Sequence, residues 1–167
     1  NQYFSVTSWR PSGKEPTIAN CTLPASAGTA LSYVTAPCVP GTPSTSGVDT
    51  QLGACSLPAN GTWVSTKCGS GSYDRNGTDT AMTPCLDPAA DGTEFVTATC
   101  VAGTPNALGT DTVVATAAPA PGEYIANLVR GSWGRLGAAE YGNCTKTPPA
   151  GELVKAKCTT RSNTVFG

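Results

Sequence analysis

A phrase that begins with cysteine and reads C-x-x-G-[ST] recurs along the chain at nearly regular spacing. It opens at Cys38, Cys68 and Cys100, and an apolar residue takes the cysteine position at Leu128 and at Phe4. The starts lie 34, 30, 32 and 28 residues apart, and Cys158 follows 30 residues after the last of them. A period of this length predicts a repeat architecture, in which each unit contacts mainly its neighbours.

Two further features share this period. A G-x-[DE] phrase lies six residues ahead of the next cysteine position, and its acidic residues are Glu15, Asp49, Asp79 and Asp111. A second segment opens with cysteine, continues through Pro, Gly and an aromatic or aliphatic pair, and closes with cysteine. The fourth copy of this segment, 117–128, has Ala117 and Leu128 where the other copies have their two cysteines.

The joint loss of two cysteines predicts how the remaining eight are paired. A single leftover thiol in an oxidising compartment is reactive, so cysteines that disappear together are expected to be partners. The rival scheme, Cys38 with Cys55 and Cys68 with Cys85, leaves Cys100 and Cys144 without partners. We predict four bridges, each worth about 3 kcal/mol in the chain-entropy account: Cys21–Cys38, Cys55–Cys68, Cys85–Cys100 and Cys144–Cys158.

The apolar content is too small for one conventional core. Leu, Ile, Val and Phe together number 26, about 16% of 167 residues, while Gly and Pro number 33. The stretches before the closing cysteines alternate apolar and polar residues, which favours strands. We predict a small disulfide-rich β fold, an elongated linear array of about five repeats of about 31 residues built from short hairpins and loops, with little helix.

The predicted boundaries follow the cysteine phrases. Repeat 1 covers 1–37, repeat 2 covers 38–67, repeat 3 covers 68–99, repeat 4, without its disulfide, covers 100–127, and repeat 5 covers 128–157. Residues 158–167 begin a sixth repeat and are a candidate segment for contacts between subunits.

Charge and hydropathy exclude two classes of partner. The formal net charge is only -1, without charged runs, so we expect no nucleic-acid partner. No stretch approaches the roughly 20 apolar residues of a membrane span, so we expect no direct membrane insertion, although a lipid anchor is compatible with the sequence.

Catalytic signals are weak. The chain contains no histidine, which excludes Ser-His-Asp and Cys-His catalysis. We therefore predict that it is not an enzyme and has no catalytic, cofactor or metal site. The recurring Asp49, Asp79 and Asp111 have calcium binding as an alternative, but their period favours Asx-type turns in which the carboxylate accepts from a nearby backbone N–H.

Four N-glycosylation sequons indicate an extracellular or cell-surface glycoprotein, and covalent glycans are the expected partners. Their asparagines are Asn20, Asn60, Asn76 and Asn143, of which Asn20 and Asn143 both lie directly before a cysteine. The Ser, Thr and Pro near Thr42 are compatible with O-linked sugar and equally with a simple polar loop.

Aromatic residues have two interpretations. Trp9 and Trp133 follow the two starts that lack cysteine, so a ring that fills the place of a disulfide is favoured over a ligand site. Trp63, Tyr73 and Tyr141, if exposed, could stack on sugars, which is the basis of the alternative function below.

The cysteine-periodic phrases resemble those of ciliate surface antigens, the immobilisation antigens. The resemblance rests on Cys38-VPGTPSTSGVDTQLGA-Cys55 and Cys100-VAGTPNALGTDTVVATA and covers nearly the whole chain, although the C-x-x-C pairs of that family are missing. It implies an abundant, lipid-anchored coat glycoprotein of the cell surface.

The function predicted from these observations is structural. We expect a cell-surface coat or filament-forming subunit that self-associates head to tail, with the Cys158–Gly167 segment against the Phe4 repeat of the next molecule. The alternative is an adhesion or carbohydrate-binding module array on the cell surface. An inhibitor loop between Cys55 and Cys68 is a third and weaker hypothesis.

Overall fold

The computed structural model describes residues 2–4, 17–25, 31–42, 45–90 and 92–166, and the regular structure within these ranges is β. Each strand pairs with its neighbour in sequence to make six two-stranded hairpins. The strands are β1 Gln2–Phe4, β2 Ile18–Asn20, β3 Ser32–Ala36, β4 Gln51–Ala54, β5 Thr62–Thr66, β6 Ala81–Pro84, β7 Glu94–Ala98, β8 Val113–Thr116, β9 Glu123–Val129, β10 Ala138–Asn143, β11 Val154–Ala156 and β12 Val165–Phe166. The predicted disulfide-rich β class, with little helix, is confirmed.

We define the tip of a hairpin as the segment between its two strands, and isolated bridges hold the described tips from β3–β4 onward narrow. In the β5–β6 hairpin, isolated bridges join Gly69 to Thr78 and Ser72 to Arg75. Gly71 has a φ of +73°, and a Cβ on Gly77 would lie 2.3 Å from the carbonyl oxygen of Gly69. Glycine is required here because the two sides of the tip lie closer together than any side chain permits.

The chain divides into two compact units. The first comprises Asn1–Thr83 and Ala102–Gly109, and the second comprises Pro84–Val101 and Thr110–Gly167. The predicted repeat boundaries at Cys38, Cys68 and Cys100 each separate the two strands of one hairpin, because each of these cysteines lies between paired strands. The elongated arrangement stays a prediction.

The four disulfides join the predicted pairs. Cα–Cα distances are 5.9 Å for Cys21–Cys38, 6.0 Å for Cys55–Cys68, 5.9 Å for Cys85–Cys100 and 5.8 Å for Cys144–Cys158. These distances are typical of disulfides, and every cysteine is bonded. Each bridge ties the end of one hairpin to the start of the tip of the next hairpin.

The register corrects the alignment of the first repeat. Phe4 pairs with Ile18, three residues before Cys21, as Val34 pairs with Leu52, three residues before Cys55. Phe4 therefore occupies the position of Val34, and its predicted place at the position of Cys38 is wrong by four residues. The error arose because a phrase of small residues such as S-V-T-S is too unspecific to fix an alignment.

The fourth segment lacks its disulfide but keeps the backbone bond of its opening position. The N–H of Ala117 donates to the carbonyl of Thr93 at 2.7 Å, as the N–H of Cys55 donates to the carbonyl of Leu31 at 2.9 Å. Ala117 is 7% exposed and Cys55 is 8% exposed. The prediction that Ala117 stands at a cysteine position is therefore confirmed.

This equivalence predicts that the missing bridge can be restored. The double variant Ala117→Cys/Leu128→Cys is expected to form a fifth disulfide and to raise the free energy of unfolding by about 2–3 kcal/mol, because the bridge restricts the unfolded chain. Mass spectrometry without reduction and chemical denaturation measure the two effects. The single variants are the controls, since each adds only one thiol, and a double variant that keeps both thiols free would contradict the equivalence.

Candidate functional site

The most regular feature of the structure is a joint in which the tip of one hairpin bonds to the first strand of the preceding hairpin. The N–H of Val34 donates to the carbonyl of Ser70 at 2.9 Å, and the N–H of Gly77 donates to the carbonyl of Val34 at 2.8 Å. The same two bonds recur at Val64, with Ala102 at 2.9 Å and Gly109 at 3.0 Å, and at Val96, with Arg130 at 2.9 Å and Gly137 at 2.8 Å. We call this contact a joint: the edge of one strand and the tip of the next hairpin bond through backbone atoms only.

The joint seals one valine side chain completely. Val34, Val64 and Val96 are each 0% exposed, and they are the largest fully buried side chains among the described residues. Full burial of a valine contributes about 1.5–3 kcal/mol. The apolar interior is therefore divided into single valines, one for each joint.

A third backbone bond links each joint to a disulfide. The N–H of the closing cysteine donates to a carbonyl in the next tip: Cys38 to Tyr73 at 2.6 Å, Cys68 to Pro105 at 2.9 Å and Cys100 to Trp133 at 2.8 Å. Since the same cysteine is bridged to the end of the preceding hairpin, the disulfide holds this donor in place.

A reduced joint follows β9. The N–H of Ile125 donates to the carbonyl of Thr160 at 2.9 Å. The tip of the β11–β12 hairpin is short, because a bridge joins Thr159 directly to Ser162. The predicted sixth repeat therefore bonds within the chain through Thr160, although its tip lacks the C-x-x-G phrase.

The recurring carboxylates of Asp49, Asp79 and Asp111 each form a clasp, a set of hydrogen bonds that ties the end of a tip to the end of the preceding hairpin. The Oδ1 of Asp79 accepts from the N–H of Ser56 at 2.7 Å and from the N–H of Thr80 at 2.6 Å, and its Oδ2 accepts from the hydroxyl of Ser56 at 2.6 Å. Asp49 makes the matching bonds with Thr22 and Thr50. The predicted local bond to a neighbouring N–H is present, and the second bond crosses 23 residues.

The clasps of Asp111 and Asn163 show which hydrogen bonds all the clasps share. Asp111 accepts from the N–H of Leu86 at 2.8 Å, where no hydroxyl is available. In the last hairpin Asn163 takes the place of the acid, and its Oδ1 accepts from the N–H of Thr145 at 2.8 Å. An oxygen at Oδ1 is therefore the shared requirement, and a negative charge is not.

Hydrogen bonding lowers the pKa of two of these acids. The Thr22 hydroxyl, with the Thr22 N–H, holds the pKa of Asp49 below its ordinary value. The Ser56 hydroxyl and N–H do the same to the pKa of Asp79. Both groups are bonded as carboxylates, because an ionised oxygen accepts more strongly than a protonated one.

The joint at Val96 keeps the Cys85–Cys100 disulfide, but the tip that docks there starts at Leu128 and so has no bridge of its own. The segment after Gly137 carries Ala138 and Ala139 where other repeats have Asp. The guanidinium of Arg130 instead donates to the carbonyls of Pro88 and Ala89. The carboxylate of Asp87 accepts from the N–H of Trp133 at 2.8 Å. Trp133 is half-buried, and Trp9 and Glu15 lie outside the described residues.

Two aromatic rings pack against a glycine of their own hairpin. The ring of Tyr33 covers Gly53 on the paired strand, and the ring of Tyr124 covers Gly142 in the same way. Trp63 holds the position of Tyr33 in its own hairpin. The expectation of an exposed Trp63 and Tyr73 is wrong, since both are half-buried, whereas Tyr141 is 43% exposed.

All four sequon asparagines are exposed, so each is accessible to modification. Asn20 and Asn143 each end a strand and pair with the first residue of their hairpin, Gln2 and Glu123. Asn60 lies in the turn before β5, and Asn76 lies in the tip of the β5–β6 hairpin.

Potential metal ligands do not cluster in the part of the chain that the structure describes. Within the described ranges, no three His, Cys, Asp or Glu side chains converge as ligands of a metal ion would. The part of the chain that the structure describes has no helix long and apolar enough to cross a membrane. No family model, curated protein or solved structure matches the chain.

Sequence reasoning missed the valines as the centres of the joints. A signal was present, because an aromatic residue followed by Val or Ile precedes four tips, in Y-V, W-V, F-V and Y-I. The bonds to the next tip are made by backbone atoms, which leave no trace in residue type.

The clasp predicts a pH effect that depends on its charge. Since the folded pKa of Asp79 is lowered, its contribution to stability is present above about pH 4, the unfolded value, and is lost as the pH falls through the folded pKa. We expect Asp79→Asn to be less stable than the wild type at pH 7, and the difference to shrink as the pH falls below about 4. Urea denaturation across this range measures the difference.

Asp79→Ala is the matched control, because it removes the Oδ1 acceptor at every pH. Its stability is expected to stay below that of Asp79→Asn even in acid. Equal stability of the two variants at all pH values would contradict the clasp.

A buried threonine directly follows each of the three clasp aspartates. Its unpaired hydroxyl leads us to predict a stabilising substitution. Thr50, Thr80 and Thr112 are 7%, 6% and 5% exposed, and their Oγ1 atoms have no partner among the described residues. Thr80→Val replaces this hydroxyl with a methyl group, so we expect a gain of about 1 kcal/mol in the free energy of unfolding. The exposed Thr78→Val is the control, with a change within about 0.5 kcal/mol. Loss of stability in Thr80→Val would show that the hydroxyl is paired.

Proposed function

We propose that this chain is a structural extracellular glycoprotein, a subunit of a cell-surface coat or filament. The observation that carries the proposal is the repeated joint, in which backbone bonds and a local disulfide replace a shared core. A chain held together by local disulfides stays folded in an oxidising extracellular environment. Because each bridge is confined to one joint, the loss of one bridge leaves the others intact.

The exposed sequons support the extracellular assignment. Asn20, Asn60, Asn76 and Asn143 are all accessible, and no joint described above uses their side chains. Glycans at these positions would therefore leave the backbone joints intact. Covalent glycans and further copies of the chain are the proposed partners, and a lipid anchor is compatible with this role.

The resemblance to ciliate immobilisation antigens remains part of the proposal. It rests on the cysteine phrases, and the structure adds a physical reason for them. The cysteine holds an N–H donor at the joint, and the glycine allows the tip to turn.

The adhesion alternative receives less support. Of the three aromatic residues offered for sugar stacking, Trp63 and Tyr73 are half-buried, and the Nε1 of Trp63 is sealed from solvent. Tyr141 is the exposed member and lies alone on β10. Single exposed rings are ordinary features of protein surfaces.

The proposal predicts the state of the native material. We expect purified protein to carry four local disulfides, to lose mass on enzymatic deglycosylation, and to form uniform assemblies in electron micrographs. Intact mass before and after deglycosylation and peptide mapping without reduction test the first two points. Free thiols and unmodified asparagines in the native protein would contradict an extracellular glycoprotein. Glycan-array binding that is lost in Trp63→Ala would favour the adhesion alternative.

A further inference from the structure

Two of the four N-glycosylation sequons share residues with the disulfides and the clasps. In the sequon 20–22 the middle residue is a cysteine bridged to Cys38, and in the sequon 143–145 it is a cysteine bridged to Cys158. The other two sequons have glycine in the middle position. The two cysteine-containing sequons are therefore part of the covalent framework of the fold.

The sequon 20–22 is held at each of its three residues. Its asparagine is the last residue of β2, where the backbone pairs with Gln2, and its cysteine is bonded to Cys38. The N–H of its threonine donates to the Oδ1 of Asp49 at 2.8 Å, and the threonine hydroxyl donates to the Oδ2 at 2.6 Å. The hydroxyl that defines the sequon is thus bonded within the folded chain.

The sequon 143–145 is held at the same three positions. Its asparagine ends β10 and pairs with Glu123, and the N–H of its cysteine donates to the carbonyl of Gly122 at 2.8 Å. The N–H of its threonine donates to the Oδ1 of Asn163 at 2.8 Å, and the threonine hydroxyl accepts from the Nδ2 of Asn163 at 3.1 Å. The clasp residue differs from the first sequon, but the same groups of the tripeptide are engaged.

Attachment of a glycan makes a larger demand on the tripeptide than its presence does. Both asparagines are exposed, so a glycan already attached has room in the folded chain. During transfer, the asparagine amide nitrogen attacks the first sugar carbon of a lipid-linked oligosaccharide and loses one proton. The N–C bond forms as the bond from that carbon to the lipid pyrophosphate breaks, and the pyrophosphate leaves with the electron pair. The transferase must hold the amide and the threonine hydroxyl together, so the bridge and the clasp have to be open.

Each of these sequons is synthesised before the residues that later hold it. The bridging cysteine follows the sequon cysteine by 17 residues in the first case and by 14 in the second. At about 5–20 residues per second this interval lasts about 1–3 s, and disulfide formation adds seconds or more. The clasp residue follows the sequon threonine by 27 and by 18 residues. Each sequon is therefore complete for a time while its bridge and clasp are still absent.

We propose that closure of the bridge and the clasp ends glycosylation at Asn20 and Asn143, so that glycans at these two sites are added only to the unbridged chain. The substrate class is a lipid-linked oligosaccharide. This inference rests on the proposed glycoprotein role and deepens it by giving the order of two covalent modifications, the glycan first and the disulfide second. The glycan occupancy of the two sites then depends on how fast their bridges close.

The test compares the oxidised and the reduced chain as acceptors of a glycan. Protein produced without glycosylation, with four disulfides verified by mass measurement, is incubated with solubilised oligosaccharyltransferase and lipid-linked oligosaccharide. A reduced sample is treated in parallel, and peptide mass spectrometry reads each asparagine separately. The reduced chain is expected to be modified at Asn20 and Asn143, and the oxidised chain is expected to be modified at neither.

Single variants test whether the local bridge, rather than folding in general, closes each site. Cys38→Ser leaves the sequon 20–22 intact and removes only its bridge, so Asn20 is expected to be modified in the oxidised variant while Asn143 is not. Cys158→Ser is expected to give the opposite result. The comparison of the oxidised and the reduced wild-type chain needs no variant, so the proposal stays testable if either variant does not fold.

Cys100→Ser is the matched control for both variants. It also breaks one bridge and leaves one thiol, but that thiol belongs to Cys85, which lies in no sequon. Neither Asn20 nor Asn143 is expected to be modified in this oxidised variant. Adding Asp49→Ala to Cys38→Ser removes the clasp as well, and it is expected to raise the modification of Asn20 further.

Three results would overturn the inference: equal modification of Asn20 in the oxidised and the reduced wild-type chain, equal modification of Asn20 in Cys100→Ser and Cys38→Ser, or no modification in the reduced chain. Glycans on Asn60 and Asn76 of the native protein would support the glycoprotein role in each of these cases, because neither sequon contains a cysteine. Failure of the proposed order of modifications is therefore distinguishable from failure of the structural glycoprotein role.

Discussion

The backbone bonds between a strand edge and the following tip are the interaction on which the other features of the structure depend. A valine such as Val64 is sealed only because Ala102 and Gly109 approach its backbone closely enough to bond on both sides. The glycines are needed within the tip, where a Cβ on Gly77 would lie 2.3 Å from the carbonyl oxygen of Gly69. Few large apolar residues are needed, because each joint buries one side chain and satisfies the edge that an isolated hairpin leaves open.

The disulfide and the carboxylate clasp both hold the tip at the strand edge. One repeat lacks both of them at once. The bridge fixes the closing cysteine whose N–H reaches the next tip, and the clasp ties the returning strand to the residue after the opening cysteine. The 117–128 segment has lost both, and Arg130 and Asp87 supply polar contacts at that joint. The edge-to-tip bonds are therefore kept at a joint whose tip has neither its own bridge nor its clasp.

Side-chain patterns predicted the covalent framework but not the joints. The pairing of Cys55 with Cys68 followed from the shared loss at Ala117 and Leu128, which only partners explain. The local bond of Asp79 was predictable from turn chemistry, but its bond to Ser56 was not, because the two residues meet only after the hairpins dock. Phe4 was misaligned and Trp63 was expected at the surface, since both depend on strand register, which residue types alone do not fix.

The joint has a direction, and this sets a rule for any array built from it. In every joint that the structure describes, a hairpin gives its tip to the hairpin before it, as the β5–β6 hairpin does through Gly77, and its edge to the hairpin after it, as it does through Val64. A finite run of such hairpins therefore has one tip and one edge left over, whatever its length. The shortened tip at Thr159–Ser162 still bonds Ile125 through a single carbonyl, which shows that a tip can be reduced while the direction is retained. Covering the remaining edge, rather than enlarging any core, is the physical problem that such an array must solve.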